Sequence, residues 1–212
     1  MSFYREQLEN WLKKIDVHAD KILDIGAHLG NMALEMKGIW PYTNILCVEA
    51  NPYAEEELKA KDLNYKIAAL SWKSGDEKDF WVSTEWLLSS GNSLYRENTP
   101  SYSDDKCKTI KVMTHTLDEL FPNGESFDFI KIDTQGSECD ILIGGQELLK
   151  KTKYILTEAS VREYNKGGCR IHNIFSVMKQ MGFELDDICS LQYKDNLNIA
   201  LLQTDLLFKK EQ

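Results

Sequence analysis

Short apolar runs that alternate with helical segments restrict the fold of this chain more than any other feature. Between the runs, apolar residues recur at helical spacing. This alternation predicts an α/β domain in which helices cover both faces of a mostly parallel sheet. The predicted strands are 21–25, 45–49, 65–70, 127–133 and 154–158, followed by two closing strands at 183–191 and 199–208.

Two further segments accompany this alternating region. Residues 3–15 carry Trp11, Leu12 and Ile15 at helical spacing, which predicts an amphipathic N-terminal helix. Residues 84–106 are rich in Ser, Asn and Gly and predict a long loop, of a length that often forms a lid or a binding loop. Because no repeat or linker interrupts the chain, residues 1–212 are expected to form a single domain.

The composition narrows the partners and the compartment. Hydrophobic residues make up 42% of the chain, and the net charge of −9 disfavours nonspecific binding to nucleic acid or to an anionic membrane. The N-terminus is too polar for a signal peptide, and no apolar run is long enough to span a bilayer. We therefore expect a cytoplasmic protein that binds neither nucleic acid nor a membrane, and a homodimer is left open.

The cysteines are scattered and odd in number. None of them forms a CxxC pair, so the spacing indicates neither a zinc site nor a disulfide framework, and we expect reduced thiols. The five residues are Cys47, Cys107, Cys139, Cys169 and Cys189.

The turn after the first predicted strand has the spacing of a ligand-binding loop. Residues 24–31 read DIGAHLGN, in which Gly26 permits a tight turn and Gly30 permits close packing where the next helix begins. The spacing differs from the G-x-G-x-x-G of dinucleotide sites, so a small anionic group at the helix N-terminus is favoured over a pyrophosphate. A plain strand–turn–helix is the alternative, because glycines serve such turns without any ligand.

A second acid strengthens the cofactor hypothesis. Glu49 ends the next predicted strand, 25 residues after Asp24, where a carboxylate can accept two hydrogen bonds from a ribose diol. A solvated charge at a strand end is the alternative. The small residues of Ala68-Ala69-Leu70 end the third strand and would leave room for an adenine ring.

With these blocks in view, the sequence resembles the FkbM family of methyltransferases. The blocks span residues 21–208 in family order: LDIGAHLGN at 23–31, VEANP at 48–52, AALS at 68–71, TLDEL at 116–120, IKIDTQGSE at 130–138, GG at 144–145, ILTE at 155–158 and QTDLLF at 203–208. The block around Asp133 is the most specific of them. The chain departs from the usual family pattern at His28 (often Asn), at Thr134-Gln135 (usually Val-Glu) and at Ser137 (commonly Ala), which puts the substrate in doubt but not the cofactor.

The resemblance implies a fold, a cofactor and a reaction. The fold is a Rossmann-like class I methyltransferase sandwich, with a mostly parallel seven-stranded sheet and an antiparallel closing strand. The cofactor is S-adenosylmethionine, and the reaction is O-methylation of a hydroxyl, often on sugars or polyketide-like natural products. The residues expected to bind the cofactor are Asp24, Gly26, His28, Gly30, Asn31, Glu49, Ala50, Asn51, Ala69 and Asp133.

Methyl transfer also needs an aligned acceptor and a nearby general base. Asp133 ends the fourth predicted strand, Glu138 lies in the first turn of the following helix, and Lys131 points to the same side of the strand as Asp133. We expect these three residues at the reacting centre, although helix capping is an alternative for both acids. Asp133 and Glu158 end neighbouring strands and are candidate ligands for magnesium, with no third ligand identified.

The side chains of the long loop, residues 84–106, indicate the kind of acceptor. Aromatic faces combined with small hydroxyl and amide groups suit sugar rings, so we expect a sugar or a similar polar metabolite. A solvated loop whose aromatic residues only attach it to the core is the alternative. The residues concerned are Trp86, Ser89, Ser90, Asn92, Ser93, Tyr95 and Tyr102.

Two other functions compete with methyl transfer. A dinucleotide-dependent oxidoreductase would share the sheet, but the glycine spacing and the absence of a second domain disfavour it. A non-catalytic module that binds S-adenosylmethionine would also share the fold, but Asp24 and Glu49 are both present.

Overall fold

The computed structural model describes residues 10–13, 15, 17–193 and 200–211. The strands are β1 Lys21–Ile25, β2 Asn44–Glu49, β3 Asn64–Ile67, β4 Ala69–Leu70, β5 Glu77–Ser83, β6 Cys107–His115, β7 Phe129–Ile132, β8 Tyr154–Ser160, β9 Phe183–Tyr193 and β10 Leu201–Lys210. The helices are α1 Asn31–Ile39, α2 Glu55–Ala60, α3 Leu117–Leu120, α4 Glu138–Gly144, α5 Gln146–Leu149 and α6 Ile171–Gln180.

Seven strands form the main sheet, in the order β3-β2-β1-β7-β8-β10-β9. The first five are parallel, and β10 runs antiparallel to both β8 and β9. The mostly parallel sheet with an antiparallel closing strand is therefore confirmed.

The core lies on both faces of this sheet, as the near-continuous apolar runs require. Successive side chains of a strand point to opposite faces. Leu23 and Ile130 accordingly belong to one buried cluster, whereas Ile22 and Phe129 belong to another. Because the core fills both faces, the polar residues at the carboxyl ends of the strands are left for a ligand.

A second, three-stranded sheet with the order β4-β6-β5 was not predicted. The run expected as one strand at 65–70 splits, because Ala69 and Leu70 leave the main sheet and pair with β6. β6 is antiparallel to β5. Its Thr109, Ile110 and Val112 are typical strand residues, and the interposed Lys108 and Lys111 concealed the pattern.

Two other expectations need correction. The helix expected at 137–150 divides into α4 and α5 at Gly145, whose φ of −119° and ψ of 20° lie outside the helical region. Cys139 and Cys169 form a disulfide with their Cα atoms 5.6 Å apart, so not all five thiols are reduced.

Residues 84–106 contain a 3₁₀ turn at Pro100–Tyr102 and isolated bridges. The Ser93 hydroxyl attaches this segment to the carboxyl end of β7 by donating to the carbonyl oxygens of Thr134, at 3.0 Å, and Gln135, at 2.8 Å. At the N-terminus residues 10–12 are helical, and the rest of the helix expected at 3–15 lies largely outside the described residues. No helix in the described ranges has the length and apolar character needed to cross a membrane.

Candidate functional site

Two cavities open at the carboxyl ends of the parallel strands and share one wall. The smaller one, called here the narrow cavity, is lined by residues at the ends of β1, β2 and β4 and by the segments that follow β1, β2, β5 and β7. The larger one, called the wide cavity, reaches toward β8 and β10. The wall common to both consists of Gly26, His28, Ser90, Asp133 and Gln135.

Gly26 is the residue that lets the turn after β1 approach β7. Its φ of +77° lies in the left-handed region, and a Cβ at this position would stand 1.8 Å from the backbone oxygen of Asp133. Any side chain here would therefore force the turn after β1 away from the backbone of Asp133. Gly30 lines neither cavity, because it packs against Leu63, and Asn31 reaches the wide cavity.

The next residues of the turn hold Glu49 in place. His28 has a φ of +53°, and its backbone N–H donates to Glu49 Oε2 at 2.6 Å. The N–H of Asn51 donates to Glu49 Oε1 at 2.8 Å. Burial raises the pKa of Glu49, which these two backbone donors oppose. The carboxylate is thus fixed in the lining of the narrow cavity, with lone pairs left for hydroxyl donors.

The long loop closes over this cavity from the other side. His28 Nε2 lies 2.6 Å from the carbonyl oxygen of Leu88, and Asn51 Nδ2 donates to that of Leu87 at 2.8 Å. Ala50 and Asn51, which were predicted to bind the cofactor, line the narrow cavity.

Apolar walls complete the narrow cavity. Ala68 and Leu70 line it, whereas Ala69 is buried and faces elsewhere, since alternate residues point to opposite sides. The sequence analysis did not identify the other apolar lining residues, which are Ile25, Val48, Phe80, Leu94 and Ile141. A flat, partly apolar ring such as adenine fits between such walls, and the Glu49 carboxylate fits a ribose diol.

Lys131 organises the acids beneath the wide cavity. Its Nζ lies 3.1 Å from Asp133 Oδ2 and 3.7 Å from Asp24 Oδ1. Burial would lower the pKa of Lys131, but the two carboxylates raise it above its ordinary value. Asp24 is fully buried, lines neither cavity, and neither of its oxygens has a hydrogen-bond donor. Its position suits a partner of Lys131 better than a direct cofactor ligand.

Gln135 joins the two carboxylates that were considered for magnesium. Its Nε2 donates to Asp133 Oδ1 at 3.0 Å and to Glu158 Oε2 at 2.8 Å, and Gln203 Nε2 also donates to Glu158 Oε2 at 2.8 Å. An N–H donor between two carboxylates does not suit a cation, whose ligands are oxygens. Within the described ranges, no three His, Cys, Asp or Glu side chains are grouped to hold a metal.

Glu158 is a buried acid whose neighbours include three other carboxylates. Burial raises its pKa well above the ordinary value, and the charges of Asp133, Asp205 and Glu138 raise it further. Gln135, which separates it from Asp133, has a left-handed φ of +57°. Strained non-glycine residues that also line a ligand cavity are typical of functional sites.

Glu138 holds the loop after β7 and lines neither cavity. Its Oε1 accepts hydrogen bonds of 3.1 Å from the backbone N–H groups of Thr134 and Gly136 and from the Thr134 hydroxyl. Burial raises the pKa of Glu138, and these backbone donors lower it. The geometry thus places Asp133 and Lys131 beside the wide cavity and Glu138 behind the loop.

The aromatic residues of the long loop attach it to the core. Tyr95 donates its hydroxyl proton to Asp140 at 2.8 Å, and Tyr102 is buried, with its hydroxyl 3.0 Å from that of Ser89. Trp86 is 53% exposed and lines neither cavity. The small polar residues do line cavities: Ser89, Ser90 and Asn92 the narrow one, and Ser90 also the wide one.

Several residues of the wide cavity were missed by the sequence analysis. They are Glu97, Tyr164, Gln192, Gln203 and Asp205. The segment 203–208 had been noted as a family block, so a signal was present for the last two, but no chemistry followed from it.

Comparisons with known proteins identify the family of this chain. Residues 24–185 match the model of the methyltransferase FkbM domain. The 2-O-methyltransferase NoeI of Sinorhizobium fredii (strain NBRC 101917 / NGR234) is 31% identical over 178 residues, which cover 77% of this chain and 72% of that protein.

Solved structures resemble the fold at low sequence identity. A precorrin-6y C5,15-methyltransferase from Geobacter metallireducens GS-15 has a TM-score of 0.55 at 12% identity, covering 100% of this chain and 90% of that chain. A TehB-like SAM-dependent methyltransferase from Corynebacterium glutamicum has a TM-score of 0.53 at 11% identity, covering 99% and 89%. The oxidoreductase and the non-catalytic module are set aside by the family match, since the chain belongs to the FkbM methyltransferase family and is an S-adenosylmethionine-dependent methyltransferase.

Proposed function

We propose that this enzyme methylates a hydroxyl oxygen of a sugar or a similar small polar metabolite. The observation that carries the proposal is the pair of cavities with a common wall at Asp133. One cavity has the apolar walls and the acid that suit an adenosine, and the other is lined by amides and carboxylates that suit hydroxyl groups. The similarity to a 2-O-methyltransferase supports the same acceptor atom.

In this proposal the narrow cavity holds the cofactor. Glu49 accepts hydrogen bonds from the ribose, and Ala68 and Leu70 border the adenine. When bound, S-adenosylmethionine would supply an electrophilic methyl group on a sulfonium, and S-adenosylhomocysteine would leave as the methyl–sulfur bond breaks. The cofactor's methyl group and the acceptor oxygen would meet beside the residues that both cavities share, Gly26 and Asp133 among them.

The acceptor enters the wide cavity, where Asp133 receives its hydroxyl proton as the new oxygen–carbon bond forms. Asp133 suits this task because it belongs to both cavities and because Lys131 and Gln135 fix its two oxygens. A general base whose oxygens are already oriented by hydrogen bonds needs little reorganisation before it accepts the proton. Lys131 and Glu138 act by positioning: the first holds Asp133, and the second holds the loop that carries Gln135.

Labelled cofactor tests this assignment. We expect the labelled methyl group of S-adenosylmethionine to reach sugar glycosides, and not amines, protein or nucleic acid. Asp133→Asn should abolish most of the turnover, whereas the matched Asp186→Asn, on exposed β9, should retain it. Label that appears on amines alone would refute the acceptor, and full turnover by Asp133→Asn would refute the base.

Metal dependence and location remain separate predictions. Because the amide of Gln135 occupies the place between Asp133 and Glu158, we expect activity to survive exhaustive treatment with EDTA.

The cytoplasmic location stays a prediction, and cell fractionation tests it. Disulfides are uncommon in reducing compartments, so the thiol state of Cys139 and Cys169 in cells bears on the same question.

A further inference from the structure

The wide cavity carries a strong excess of negative charge. Four carboxylates line it: Glu97, Asp133, Glu158 and Asp205. Among the described residues that line it, the one Lys or Arg is Lys131. Even with Glu158 protonated, the acids outnumber the cation.

Lys131 is not available to bind an anionic ligand. It is 3% exposed, and its Nζ already lies 3.1 Å from Asp133 and 3.7 Å from Asp24. Sites that recognise phosphate or carboxylate present arginine forks, free lysines or backbone N–H groups to the ligand. The charge of Lys131 is instead shared between two carboxylates of the protein.

The remaining acids are held in place and cannot turn away from a ligand. Glu97 is 8% exposed, accepts a hydrogen bond from the Thr99 hydroxyl, and packs so closely on Gly91 that a Cβ there would lie 2.1 Å from its Oε2. Asp205 is 2% exposed, lies opposite Glu158 in the β8–β10 register, and accepts a hydrogen bond from Ser190 at 2.5 Å.

On the basis of the proposed function, we propose that the acceptor is an uncharged or amine-bearing sugar unit and that fixed acids exclude sugars bearing phosphate or carboxylate. A like charge placed beside a buried carboxylate is costly, because the low-polarity surroundings screen it weakly. In a nucleotide-activated sugar, the pyrophosphate is attached to the sugar ring itself. If this ring entered the cavity, the pyrophosphate would lie close to the fixed acids. The acceptor is therefore supplied by a glycosyl transfer reaction that has already removed this group.

A charge-matched acceptor series tests the inference. The probes are methyl glucoside, methyl glucosaminide, methyl glucuronoside, glucose 1-phosphate and a nucleoside diphosphate glucose, each assayed with labelled S-adenosylmethionine. We expect kcat/KM for the anionic members to be at least about tenfold below that of methyl glucoside, and the gap to persist as salt is added, because salt screens buried charges little. Methyl glucosaminide should react at least as well as methyl glucoside.

Variants that each remove one carboxylate test whether Glu97 and Asp205 cause the discrimination against anionic sugars. Glu97→Gln and Asp205→Asn should each raise kcat/KM for methyl glucuronoside relative to methyl glucoside. Glu56→Gln, the same change on an exposed face of α2 outside both cavities, should leave that ratio unaltered. Anionic acceptors that react as well as neutral ones, or a ratio unchanged in the cavity variants, would overturn the inference while the sugar acceptor stands. Failure of every sugar, with S-adenosylhomocysteine still bound, would overturn the inference and the proposed function together.

Discussion

Replacing Glu49 by alanine should weaken cofactor binding without unfolding the protein. The carboxylate receives backbone N–H groups from His28 at 2.6 Å and from Asn51 at 2.8 Å, and it offers its remaining lone pairs to a ribose. Glu49, His28 and Asn51 all line the narrow cavity, so we expect water to enter the space that the carboxylate leaves and to satisfy both donors. Most of the lost free energy should therefore appear in ligand binding.

The magnitude follows from the bonds that are lost. Removing a charged acceptor from a ligand hydroxyl costs about 1–3 kcal/mol, which corresponds to about a 5- to 150-fold rise in Kd. Glu49→Gln should fall between wild type and Glu49→Ala. One oxygen of the amide still accepts a hydrogen bond, but its NH₂ group faces a backbone donor where a carboxylate oxygen stood.

Titration calorimetry with S-adenosylhomocysteine measures this directly. Glu56→Ala, on exposed α2, is the matched control and should bind as wild type does. Circular dichroism of each variant checks that the fold is retained. Wild-type affinity in a folded Glu49→Ala protein would refute the placement of the ribose at this acid.

Three further predictions follow from the same geometry. Asp133→Asn should lower kcat by about 100-fold or more with little change in the calorimetric affinity for S-adenosylhomocysteine, because a general base acts on the rate; equal losses in both would show a merely structural role. Gly26→Ala should abolish cofactor binding, since the added Cβ would stand 1.8 Å from the Asp133 oxygen at a φ of +77°; calorimetry that shows retained binding would contradict this. Glu158→Gln should stabilise the protein increasingly as the pH rises. Burial raises the folded pKa of Glu158, so its favourable contribution is complete below the unfolded pKa and is lost as the pH rises through the folded one. Urea unfolding at several pH values would count against the raised pKa if the difference from wild type stayed constant.

The strand ends could be predicted from sequence because their signals are local. The run at 21–25, the glycine turn and Glu49 each follow from neighbouring residues, and parallel strands bring their carboxyl ends to one edge. The structure accordingly gathers Gly26, Glu49 and Asp133 around one cavity.

The roles of side chains were harder to predict because partners distant in sequence decide them. Glu138 was expected at the reacting centre, yet nearby backbone N–H groups engage it. Ala69 was predicted to bind the cofactor, but its neighbours Ala68 and Leu70 line the narrow cavity instead. The expected strand divides between two sheets, which changes the face that each residue presents. Glu97 and Asp205 line the same cavity, although more than 100 residues of chain separate them. No sequence pattern in either segment indicates that the two residues lie near the same ligand.

A crystal structure of the enzyme soaked with S-adenosylhomocysteine would show which of the two cavities holds the cofactor. We predict that the nucleoside occupies the narrow cavity, that the ribose hydroxyls donate to Glu49, and that the sulfur faces the common wall at Gly26 and Asp133. A ligand bound in the wide cavity or outside both cavities, or a ribose without contact to Glu49, would contradict it.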